Sequence, residues 1–205
     1  MRNFFEPVGQ VVNDGQARDT CRAVNDAELI EHSLVEGATF AVVFDRHFRA
    51  IHRFLRARVG AQLADDLASE TFAIAFSRLA TYDRSREDAR PWLYGIAVNL
   101  LREHRRSEER RLRAYARAST GEVEPSTESA GGLEPDLAAA LLGLSVEERN
   151  LILLYAWAGL SYEQLAQALA QPLGTVRSRL SRARTKLRAS LCRAETAPVP
   201  GGETR

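Results

Sequence analysis

The stretch LGTVRSRLSRARTKLRASL (173–191) holds the residues best equipped for chemistry. Arg177, Arg179, Arg182, Arg184, Lys186 and Arg188 supply six cations, and no acid interrupts them. Such groups neutralise phosphates, and the planar guanidinium also forms paired hydrogen bonds to guanine edges. At about 100° per residue on a helix, Val176, Leu180, Ala183, Leu187 and Leu191 form one apolar stripe. Ser178, Ser181, Arg182 and Thr185 lie opposite it. Arg177, Arg184 and Arg188 flank one side, and Arg179 and Lys186 the other. A helix built this way packs by its stripe, presents its far face to base edges and its flanks to phosphates.

Other reactive residue types offer no catalytic arrangement. His47 and His52 are five residues apart, about 140° around a helix, so they do not converge on a metal. His32 and His104 have no paired ligands, and Ser161 has no base in a triad-like pattern. The expectation is a chain with no catalytic residues, no metal and no cofactor. Asp66 and Glu70, with Asp65 beside them, are spaced to share one acidic helix edge.

The elements that must position these groups read as helices throughout. In SYEQLAQALA, Ser161 and Gln164 have the spacing of a capping box. Gln171-Pro172-Leu173-Gly174 then breaks the helix and Thr175 opens the next, a helix-turn-helix whose second member fits a major groove. Upstream, Phe40, Phe44, Phe48, Ile51 and Leu55 recur at helical spacing, with Gly60 as a stop. Leu63, Leu67, Ile74 and Leu79 form a second helix. TYDRSREDARP (81–91) reads as a loop, and Trp92, Ile96 and Leu100 begin a third helix that becomes basic at REHRRSEERRLR. No segment alternates with period two. The fold expected is all-α: two helical domains joined by a flexible acidic linker, the second containing the helix-turn-helix. The boundaries are an N-terminal extension at 1–25, a first domain at 26–117, the linker at 118–136, a second domain at 137–193 and a tail at 194–205. Residues 119–136 carry five acids and no base among Gly, Pro, Ser and Thr, a linker composition.

Taken in order, these pieces resemble the extracytoplasmic-function (ECF) group of bacterial sigma factors. ADDLASETFAIAF is similar to the helix that docks on RNA polymerase, PWLYGIAVNLLREHRR to the helix that reads and opens the −10 element, and GTVRSRLSRAR to the −35 recognition helix. Ser69 stands where that docking helix commonly has Gln, and Ser145 where the second domain usually has Pro. The resemblance implies that Asp65, Asp66 and Glu70 bind polymerase. It implies −10 contacts by Tyr82, Arg84, Asn99, Arg102, Arg105 and Arg106, with Tyr82 the aromatic for an extruded base. It further implies −35 contacts by Thr175, Arg177, Ser178, Arg179, Ser181, Arg182 and Lys186. Core RNA polymerase, promoter DNA and an anti-sigma factor are the partners it implies.

The totals fit an intracellular DNA-associated protein. The 205 residues carry 28 Lys and Arg against 27 Asp and Glu, a net charge of +1, so charge is segregated rather than absent. Cys21 and Cys192 form no zinc or redox spacing, and no run approaches the ~20 apolar residues of a membrane span. A reducing, cytoplasmic setting without membrane insertion is expected. A helix-turn-helix regulator whose first domain dimerises or senses a signal is the alternative. It would bind duplex DNA without polymerase.

Overall fold

The computed structural model describes residues 24–118 and 135–196, all helices and turns with no strand among them. The first 23 residues, most of the expected acidic linker and the last part of the tail lie outside the described residues.

The first domain comprises α1 (Asp26–Ser33), α2 (Phe40–Val59), α3 (Ala61–Ser77) and α4 (Arg90–Ala118). Asn25 starts α1, its Oδ1 accepting the Glu28 amide at 2.9 Å. The backbone fold therefore begins inside the stretch expected to be an extension. Gly60, with φ at +80°, ends α2 and lets α3 return antiparallel against it. Leu79 to Thr81 form a 3-10 turn, the 82–89 loop follows, and α4 then crosses α2 and α3. Ile51, Phe54, Leu55, Leu67, Phe72, Leu93, Tyr94 and Val98 are buried at the centre. Their helical spacing is what the sequence pattern required.

The second domain comprises α5 (Pro135–Leu142), α6 (Val146–Ala156), α7 (Tyr162–Leu169) and α8 (Leu173–Thr196). Two capping boxes start its short helices. Ser145 Oγ accepts the Glu148 amide while Glu148 accepts the Ser145 amide, and Ser161 and Gln164 do the same for α7. Each satisfies donors that a helix start leaves orphaned. The turn between α7 and α8 is short. Ala170 adopts the left-handed conformation, Pro172 offers the first carbonyl of the next helix, and Leu173 and Gly174 are already helical.

The two domains also touch directly, a contact that nothing in the hydrophobic pattern signals. α7 lies on α4 so closely that a Cβ added at Gly95 would stand 2.9 Å from the Ala168 carbonyl oxygen. Polar groups surround this approach. Gln164 Nε2 donates to Asp88 at 2.8 Å, Arg86 Nη1 to Gln167 at 2.8 Å and Arg90 Nη1 to the Ala158 carbonyl at 3.3 Å.

Candidate nucleic-acid interface

α8 is held by Val176, Leu180 and Ala183, each fully buried. That fixes its rotation, so the opposite face must point outward. Arg177, Ser178, Ser181, Arg182, Thr185, Lys186 and Arg188 are exposed, with Thr175 and Arg179 half-buried at the margin. The seven residues expected at the −35 element thus share one helix, but they differ in freedom. Arg182 touches only its own helix, through the Ser178 carbonyl at 3.4 Å, and the Ser181 hydroxyl has no partner among the described residues. Arg179 donates to Gln171 at 3.2 Å, and Arg177 stands 3.9 Å from Glu163. Lys186 is bound to Glu148 at 2.7 Å; that hydrogen bond leads the interactions holding the Glu148 carboxyl below its usual range. Arg184, which the wheel makes a flanking cation, is a packing residue. Its guanidinium lies 4.2 Å from the Tyr155 ring centroid and donates to the Tyr162 hydroxyl.

The acidic edge lies on α3. Asp65, Asp66 and Glu70 are all exposed. Asp65 accepts from His52 Nε2 at 2.7 Å, whereas Asp66 and Glu70 have no ion pair among the described residues. Phe76, half exposed near the end of α3, packs on Phe40 with ring centroids 5.4 Å apart.

The 82–89 loop is organised by Asp26, which sequence reading missed. Its buried carboxylate accepts from Arg46 Nη1 at 3.0 Å, His47 Nε2 at 2.7 Å and the Ala89 amide at 3.0 Å. Its own amide donates to the Glu87 carbonyl. Burial alone would raise this carboxyl; the His47 hydrogen bond and charge, then Ala89 and Arg46, hold it at about 2. Sequence showed only that helical patterning starts near it, since its partners lie 20 to 63 residues away. Asp83 tightens the loop by accepting from Ser85 and Arg86, contacts that lower its carboxyl. Asp88, which burial would raise, is instead lowered by Arg90.

Tyr82, expected as the aromatic for an extruded base, lies under the loop. Its ring is 5% exposed, lies 5.0 Å from Trp92, and its hydroxyl donates to the Arg86 carbonyl. Burial pushes its phenol well above the ordinary range. It anchors the loop from beneath. The remaining residues expected at the −10 element spread over loop and helix. Arg84 is exposed and paired with Glu31 at 2.8 Å. Asn99 and Arg106 are exposed on α4, with Arg102 and Arg105 half-buried alongside.

Comparison with known proteins decides the family. Residues 43–111 match the family described as Sigma-70 region 2, and residues 136–187 match Sigma-70, region 4. The ECF RNA polymerase sigma factor SigL of Mycobacterium tuberculosis is 32% identical over 160 residues, covering 76% of this chain and 90% of that protein. The chain belongs to the ECF sigma factors. RNA polymerase sigma factor NccH of Alcaligenes xylosoxydans xylosoxydans is 31% identical over 161 residues, covering 74% of this chain and 86% of that one. Among solved structures, the sigma factor RpoE in complex with the anti-sigma factor NepR from Bartonella quintana superposes with a TM-score of 0.61. It is 26% identical and covers 75% of this chain and 96% of that chain. CnrH in complex with the cytosolic domain of CnrY gives 0.61 at 25% identity, covering 83% and 99%. This ECF sigma factor is a transcription initiation factor rather than a catalyst, and its family binds core RNA polymerase. Its region 2 spans α2 to α4, including the acidic edge and the loop, and its region 4 spans the helix-turn-helix. No helix among the described residues is long and apolar enough to cross a membrane.

Proposed function

We propose that this sigma factor brings core polymerase to promoters with −35 and −10 elements and holds the opened −10 strand. In this reading α8 enters the −35 major groove. Arg182, Arg177, Ser178 and Ser181 meet base edges, while Thr175, Arg179 and Lys186 meet the backbone. Arg84, Asn99, Arg102, Arg105 and Arg106 take the −10 region, and Asp65, Asp66 and Glu70 dock on polymerase. The observation that carries the reading is the locked rotation of α8: Val176, Leu180 and Ala183 of its stripe are fully buried, and Ser181 and Arg182 are left outward without side-chain partners.

The energetics require polymerase as a partner. Opening about ten base-pair steps at ~1.4 kcal/mol of stacking each costs on the order of 14 kcal/mol. Stacking a single extruded base on protein returns only ~1–3 kcal/mol. The chain therefore selects and traps a strand whose opening polymerase supports. Both of the similar structures are complexes, and one of them is a sigma factor with an anti-sigma factor. Those complexes support a similar inhibitory partner here, in a cytoplasmic setting.

The test is in vitro transcription with core polymerase on a random promoter library. Enrichment of paired −35 and −10 elements is expected, and its loss on Asp66→Lys/Glu70→Lys. Active holoenzyme that enriches no paired elements would sink the reading. Arg182→Ala should relax sequence preference at single −35 positions, by ~1–3 kcal/mol of discrimination. Lys186→Ala should weaken binding about evenly across sequences.

A further inference from the structure

α2 carries Arg46, Arg49, Arg53 and Arg56, spaced by three, four and three residues and hence on one helical face. Together with Ala50 and His52 they line a shallow open groove. Arg46 is committed to the Val24 carbonyl and Asp26. Arg49, Arg53 and Arg56 are exposed, and none of their side chains makes a hydrogen bond or ion pair with another described residue. Asp45 is the sole carboxylate of α2, one turn before Arg49, and it forms no ion pair with it. The nearby Asp65 is taken by His52, whose ring stacks on Phe48. Three like charges on one face repel one another, and no carboxylate among the described residues pairs with them.

The location of this strip gives it a meaning. Its first member, Arg46, shares Asp26 with the Ala89 amide, so the strip begins beside the 82–89 loop. Further along, the charge of Arg53 bears on Tyr94 of α4, whose ring packs edge-on against Phe54. The strip therefore runs from the loop along the N-terminal half of α4. From Arg49 to Arg56 it covers about 10 Å at 1.5 Å per residue, the length of about three nucleotides for a strand that keeps its stacked duplex spacing of 3.4 Å. No exposed aromatic side chain accompanies it, so it suits backbone rather than bases.

We propose that Arg49, Arg53 and Arg56 form a phosphate track for single-stranded DNA leaving the 82–89 loop. This rests on the promoter-opening function proposed above and adds a site to it. The track acts without regard to sequence. It draws the separated strand away from its complement, and its strength falls with salt.

The test uses reconstituted holoenzyme and a labelled single strand of about fifteen nucleotides, taken from the −10 region of promoters enriched in the library experiment. Binding above that of core polymerase alone is followed from about 50 to about 200 mM salt. Each phosphate contact on a single strand contributes ~0.7 to the slope of log affinity against log salt. Arg49→Gln/Arg53→Gln/Arg56→Gln should flatten that slope by about 2, so that wild type loses roughly 16-fold more affinity over this range. The corresponding triple Lys variant should keep the wild-type slope, because charge and not guanidinium shape is at work. If the triple Gln variant unfolds early, each single Gln variant should give ~0.7. An unchanged slope in a holoenzyme that still initiates from its promoters overturns the track alone. Lost affinity of the Gln variant for core polymerase would make the strip a protein-docking surface and overturns it equally. Failure of the library experiment would instead sink the promoter reading itself.

Discussion

Replacing Asp26 with Asn tests how region 2 holds its loop. The carboxyl lies at about 2 in the folded protein against an ordinary 3.8, a difference of about 2 kcal/mol at 1.36 kcal/mol per unit. Asn has one acceptor where three donors converge, so its amide group must face one of them. That adds roughly 1 kcal/mol or more for an unmet buried donor. The expected loss is about 3 kcal/mol, or a fall in Tm of ~6–12 °C for a chain of this size. The pH dependence carries the sharper test. A depressed carboxyl stabilises fully above its unfolded value and loses that contribution as pH falls toward its folded one. Wild type should therefore lose about 1 kcal/mol more than Asp26→Asn between pH 6 and pH 3, and about 2 kcal/mol by pH 2. Urea midpoints followed by circular dichroism at each pH measure the difference. If the two proteins stay equally far apart from pH 6 to pH 3, the His47, Arg46 and Ala89 contacts do not hold the carboxyl ionised, and the account of the loop fails.

Two further substitutions test the packing. Gly95→Ala places a methyl group 2.9 Å from the Ala168 carbonyl oxygen, which should cost ~1–3 kcal/mol in the interdomain contact. The modules should then separate more often, read as a larger radius of gyration in solution scattering with unchanged helix content. Leu180→Ala empties a fully buried site in α8 and should destabilise region 4 by ~2–5 kcal/mol, seen as an earlier melting transition and lost duplex binding.

The recognition helix was legible in sequence because its rotation depends on neighbours three and four residues apart. Val176, Leu180 and Ala183 fell on the stripe that the wheel assigns, and Ser161 with Gln164 capped α7 as their spacing required. Ser145, which departs from the family's usual Pro, turned out to open α6 through the same device, and the S-x-x-E spacing at 145–148 was there to be read. What escaped were properties settled across long stretches of chain. Asp26 drew no reading of its own, because Arg46, His47 and Ala89 meet it from 20 to 63 residues away. Tyr82 looked like a loop aromatic until Trp92 and the Arg86 carbonyl enclosed it. Arg184 looked like one flanking cation among several, since nothing local shows that Tyr155 lies beneath it. Gly95 gave no sign of a partner because Ala168 belongs to the other domain.

That glycine contact sets a ruler against the DNA. α8 packs on α7, and α7 on α4, so at 8–10 Å per helix pair the recognition helix stands roughly 20 Å from α4. Elements centred near −35 and −10 are separated by about 85 Å of B-form duplex at 3.4 Å per base pair. One molecule cannot occupy both while Gly95 rests on Ala168. Under the proposed function, parting α4 from α7 is a toll that every promoter levies equally, whatever its sequence. A tighter contact would leave strong promoters in use and silence weak ones, so the fit between two small residues would help to decide how many genes the factor serves.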